Sequence, residues 1–309
     1  MSAASFKSPV LLANLAAFVG TTFTAGSIVA TRFVIAETDP ASLAFIRYLI
    51  AVLCLAPIGF YLMRGKRIGG RDLLIVLVLG AMFFGAFPYL LNLSLKYTSA
   101  ARGALALATA PLMTLALSTL LRSEHFTATK LIGMVGAFAG VAVAMLAGPG
   151  GLAGQGAYWI GDLIMLAGAS LAAIYPIYSK PLLTRHPALA ITALSMVGGL
   201  LVLAPFAQDQ GAFAAAPVFS TSGWFAVAFL SIGGGVLQFG LWIWAVSKLA
   251  PTQAAIYLTL TPITAVLLGS LVLGESVSLG LFAGLALVVC SILLANRPAP
   301  AIRSARPAE

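Results

Sequence analysis

The stretch Ala108–Glu124, ATAPLMTLALSTLLRSE, returns at Leu258–Glu275 as LTLTPITAVLLGSLVLGE. Pro111, Glu124 and Gly133 recur as Pro262, Glu275 and Gly284, each 151 positions further on. Both copies are an apolar helix interrupted by proline, an acidic end, and a second apolar helix spotted with glycine. One helical unit is therefore written twice, and a repeat of this length sets the architecture of the whole chain.

Outward from the repeat, the rest of the chain is of the same character. Hydrophobic residues make up 61% of it and charged residues 8%, with mean hydropathy +1.06. Domains that face water carry about 25% charged residues, so the fold class is an all-α membrane protein whose outer surface meets the lipid bilayer. The apolar residues run continuously and do not alternate, which excludes a β-barrel. The formal charge of +9 comes from Lys and Arg in short loops, where they act as topology signals; no nucleic acid is expected as a partner. Cys54 and Cys290 lie inside apolar stretches and are read as packing residues. The first apolar stretch, Val10–Val29, is too long for the hydrophobic region of a cleaved signal and is expected to stay as a span.

At about 20 residues per crossing, ten spans are expected: Val10–Ala30, Ser42–Leu62, Leu73–Leu93, Ala100–Leu121, Lys130–Leu146, Tyr158–Tyr178, Ala188–Phe206, Trp224–Val246, Gln253–Leu273 and Leu279–Ala295. The division is a first five-helix repeat over 1–148, a Gly-rich loop over 149–157, a second repeat over 158–296 and a tail over 297–309. With the N-terminus inside, 13 of the 17 Lys and Arg fall on the cytoplasmic side and only Arg32, Lys96 and Arg102 on the other. That bias orients the chain with both termini cytoplasmic. Five spans per repeat is odd, so the second copy enters from the opposite side and the repeats are inverted.

The quoted residues resemble the drug/metabolite transporter superfamily, and within it the EamA-type ten-helix transporters. Gly161–Lys180 (GDLIMLAGASLAAIYPIYSK) is similar to the opening helix of that family's second repeat, and Pro251–Arg297 to its closing pair. In the first half the similar pieces are Gly20, Phe23, Pro40 through Arg47, and Tyr97–Leu112 (YTSAARGALALATAPL). Trp often stands in the family near Val19 and Ala172, where this chain has small residues. The resemblance implies a bacterial inner-membrane transporter working by alternating access, typically an exporter of small metabolites or amino acids.

Arg47, about one and a half turns into span two, is the most pointed residue, because an arginine within the bilayer faces a cavity or a partner. Two readings stay open: it holds a substrate carboxylate with its planar fork, or it is paired with Asp162 or Glu275. Glu124 and Glu275 sit at helix ends and are read as capping or hinge contacts. Asp162 sits in the first turn of its span, where a carboxylate complements the helix N-terminus. No carboxylate lies near the middle of a span. Pro111 and Pro262 are matched mid-span prolines, read as hinges. Phe83, Phe87, Tyr175 and Trp242 are candidate substrate contacts, with packing as the alternative. Asn92, Gln238 and Tyr257 are the stronger polar candidates, since their groups need partners at depth and a cavity supplies them.

His125 and His186 form no metal-binding or Ser–His pattern, and no phosphate-binding glycine loop is present. Neither an enzyme nor a cofactor is expected. The reading is a secondary transporter of a small-molecule substrate, with amino acids or related amphipathic compounds exported; the alternative is a scaffold or channel. The central cavity is expected between spans one to four and six to nine, with five and ten peripheral. Driving ion and oligomeric state are left open by the sequence.

Overall fold

The computed structural model describes residues 9–64, 67–121, 128–146, 158–211, 219–249 and 251–295. Glu124, His125, the loop 149–157 and the tail 297–309 lie outside the described residues. All regular structure among the described residues is helical. The helices are α1 (Pro9–Val34), α2 (Pro40–Leu62), α3 (Gly70–Tyr97), α4 (Ala100–Leu120), α5 (Ala128–Leu146), α6 (Tyr158–Arg185), α7 (Ala188–Asp209), α8 (Thr221–Val246), α9 (Pro251–Leu273) and α10 (Leu279–Ala295).

Eight of them, α1 to α8, are long and apolar enough to cross a bilayer. The sequence leads one to expect ten crossings. α9 is a 23-residue helix whose described side chains begin at Tyr257, and α10 has 17 residues. At 1.5 Å per residue, the 17 residues of α10 reach about 25 Å, short of the roughly 30 Å hydrocarbon core.

The helices are not uniform, and their irregularities have local causes. A proline removes one N–H and crowds the carbonyl four residues earlier. The residues four before Pro111 and Pro176 are Leu107 and Ala172, and there α4 and α6 break, at Ala108–Thr109 and Ala173. Pro262, matched to Pro111 in the sequence, instead sits inside a continuous α9. Two further departures are wide π turns, Ala81–Ala86 in α3 and Phe229–Leu237 in α8. Shifted by 151 positions, the first falls within the second.

Lipid offers no hydrophobic drive for helix pairing, so contact depends on small residues that let backbones approach. α5 and α10 show this: a Cβ on Gly140 would lie 2.8 Å from the Gly284 carbonyl, and one on Gly133 2.7 Å from Ala295 Cβ. α7 is held behind α2 and α3 in a cluster that includes Tyr48, Phe84, Ala193, Met196 and Leu203.

Candidate functional site

The two sequence copies meet around a central cavity of about 520 Å³. Its wall comes from α1, α2, α3, α4, α6, α8 and α9, with Ile292 from α10. The expected wall is thus corrected twice. α7 contributes no lining residue, because it packs behind α2 and α3, and α10 reaches the chamber. The breaks of α4 and α6 both lie on the wall, through Leu107, Ala108, Pro111, Ala172 and Pro176. They are tied together there: the Thr114 hydroxyl donates to the Ala110 carbonyl (3.0 Å) and to the Ala173 carbonyl across on α6 (3.2 Å).

Arg47 is the charged residue of this wall. It is 8% exposed. One Nη donates to the Gly234 carbonyl at 3.3 Å, in the wide turn of α8 where the regular carbonyl ladder is interrupted. The guanidinium stands 5.1 Å over the Tyr48 ring, and Nε is buried without a hydrogen-bond partner.

The pairing of Arg47 with Asp162 or Glu275 is corrected by the structure. Asp162 is bound by Arg102, whose Nε reaches Oδ2 at 3.0 Å and whose Nη2 reaches it as well, and by the Thr98 hydroxyl at 2.7 Å. This pair is buried, with side chains 6% and 1% exposed, so Asp162 is an ion-pair partner and not merely a complement to its helix end. Glu275 accepts from the backbone N–H groups of Ala100 (2.7 Å) and Ala101 (3.1 Å) and caps α4. Gly274, at φ +66°, turns the chain just before it.

Of the candidates named from the sequence, Arg47, Phe83, Phe87, Gln238, Trp242, Pro111 and Pro262 line the cavity together. Tyr175 stands one layer behind: its ring stacks on Phe83 at 4.5 Å and its hydroxyl shares a hydrogen bond with Ser195 at 3.2 Å. Asn92 and Tyr257 find their polar partners in protein and not in the cavity. Asn92 donates to the Pro40 carbonyl at 2.9 Å, and the Tyr257 hydroxyl to Asn14 Oδ1 at 2.9 Å. Sequence reasoning missed Thr24, Ser27, Tyr48, Thr114 and Thr261, which also line the chamber, as does Phe239 beside Gln238. Ser27 and Thr24 return their hydroxyls to Phe23 and Gly20 carbonyls, at 2.8 and 3.1 Å, so they sit in apolar helices without strain.

A polytopic helical membrane protein built round a half-enclosed chamber, with one buried cation on its wall, has the form of a carrier. Comparison with known proteins gives the family. The profile of the EamA-like transporter family matches residues 11–146 and again 159–297, and the chain belongs to that family. An uncharacterized transporter of Archaeoglobus fulgidus is 28% identical over 94% of this chain and 99% of its own. A protein of Streptantibioticus cattleyicolor named a probable terminal-alkyne amino-acid exporter is 29% identical, over 83% of this chain and 84% of its own. The uncharacterized inner membrane transporter YedA of Escherichia coli is 26% identical over 85% and 83%. A solved structure matches with a TM-score of 0.64 at 21% identity, covering 91% of this chain and 96% of that one, which bears on the fold.

Proposed function

We propose that this transporter exports small amphipathic metabolites, amino acids or related compounds, by alternating access through the central cavity. The observation that carries the reading is the 520 Å³ chamber between the two sequence copies with Arg47 on its wall. That volume suits a small metabolite. In duplicated carriers the substrate site lies at the repeat interface, formed by broken helices; α4 and α6 break on this wall. The export of amino-acid-like cargo is supported by the Streptantibioticus relative. In this reading ten helices cross the inner membrane, the two five-helix units are inverted, and both termini are cytoplasmic, in keeping with the loop cations. Pro111 and Pro262 serve as hinges, and Phe83, Phe87, Gln238 and Trp242 contact the cargo around Arg47.

The test is counterflow in reconstituted vesicles preloaded with unlabelled amino acid and diluted into labelled amino acid. Saturable accumulation is the expected outcome. Arg47→Lys keeps the charge and loses the two-pronged geometry, so it should weaken movement of carboxylate-bearing compounds while the protein stays folded. Equal counterflow in vesicles lacking the protein would refute the reading.

A further inference from the structure

Five of the described acidic residues are engaged away from the cavity. Asp162 is held by Arg102 and Thr98, and Glu275 by the α4 N-terminus. Asp72 lies 3.3 Å from His186 and 3.5 Å from Arg185, Glu37 binds Ser220 at 2.8 Å, and Asp39 lies 3.7 Å from Lys96. None of the five lines the chamber. Arg47 therefore faces it more than nine-tenths buried, with one long hydrogen bond to a neutral carbonyl and an unpartnered Nε. A buried charge left in this state is destabilised by its lost hydration.

We propose that the cargo itself supplies the counterion of Arg47, so the preferred cargo is an organic monoanion: one carboxylate on an apolar or aromatic body, with no charged amine. This rests on the transport reading above and narrows its cargo, from amino acids and related compounds to the related compounds whose amine carries no charge. A carboxylate entering the chamber can take the guanidinium Nη that is not bonded to Gly234 as a charge-assisted donor. A zwitterion brings an ammonium group as well, and among the described residues none of the lining is an acid that could receive it. The Gln238 amide oxygen and the Thr24 and Thr261 hydroxyls could accept from it as neutral groups, and the faces of Phe83, Phe239 and Trp242 attract a cation more weakly than an acid does. An amino acid is thus a poorer fit than the same skeleton with its amine blocked.

Four probes of one shape separate the charges: N-acetylphenylalanine (monoanion), phenylalanine (zwitterion), N-acetylphenylalaninamide (neutral) and phenethylamine (cation). Binding is read from ligand-induced shifts in melting temperature, and movement from counterflow. The monoanion should bind about 10- to 100-fold more tightly than the zwitterion or the neutral amide, the ratio a charged hydrogen-bonded pair supplies. Arg47→Gln should abolish that ratio. Gln238→Glu puts an acid on the wall one helical turn from Gly234 and should move the preference toward phenylalanine; it decides the matter if Arg47→Gln does not fold. Phenylalanine binding as tightly as N-acetylphenylalanine in the wild type, a ratio that survives Arg47→Gln, or no binding by any probe overturns the proposal. Charge-selective binding without counterflow would overturn the transport reading and leave the counterion assignment standing. Counterflow without charge selectivity would do the reverse.

Discussion

Two arginines stand buried in the apolar body, and their surroundings differ. Arg102 has Asp162 against it, with both side chains almost wholly enclosed, whereas Arg47 has a backbone carbonyl and an aromatic face. Removing one member of a buried pair strands the other, at about 3–5 kcal/mol. Asp162→Asn should therefore lower the melting temperature sharply, and Arg102→Met with Asp162→Leu should recover most of the loss; thermal denaturation of the purified variants checks this. The sequence exposes Arg47 because it lies well inside a span. It hides Arg102, which sits at the start of span four and is counted as a loop cation. Its acid is 60 residues away, a pairing that only the fold brings about. Asn92 and Tyr257 mislead for a related reason: a polar group at depth needs a partner, but Pro40 and Asn14 on neighbouring helices answer as well as a cavity does.

Among the elements, α4 carries the break that most shapes the chamber. Its N-terminal half is capped by Glu275 and its C-terminal half is tied to α6 through Thr114. Pro111→Ala restores the N–H that the Leu107 carbonyl lacks and fills the gap with a good helix former, a gain of up to about 3 kcal/mol in helix preference. The variant should melt higher, reach the membrane at normal abundance and transport more slowly; unchanged transport would make the break incidental. At the α5–α10 contact there is no room for side chains, so Gly140→Val should destabilise by about 1–3 kcal/mol from overpacking, seen as a lower melting temperature. Helix positions and the break at Pro111 are legible from apolar runs and proline placement. The wide turns of α3 and α8 are not. Gly233–Gly235 reads as a packing feature, and nothing in an apolar run distinguishes a turn that closes five residues on from one that closes four.

For the whole molecule, the duplication is legible because three residues keep one spacing across 151 positions, and in the proposed topology the cation bias is what assigns each copy a direction. A topology reporter fused after Ala295 should be active in the cytoplasm and silent in the periplasm; the opposite result would remove the basis for inverted repeats. What the sequence could not give is which faces of the helices meet, and so α7 was expected on the chamber wall where the structure packs it away. The central claim is that the chamber opens to one side of the membrane and then to the other. The most direct measurement is accessibility of Thr114→Cys, in protein with Cys54 and Cys290 replaced, to a membrane-impermeant thiol reagent added to either face of oriented vesicles. Thr114 lines the chamber, whereas Leu53 is exposed on the outer surface of α2 and Leu53→Cys serves as the lipid-facing control. Modification of position 114 from both faces, with position 53 modified from neither, is the predicted result. Modification of position 114 from one face only, or from neither, would contradict the account.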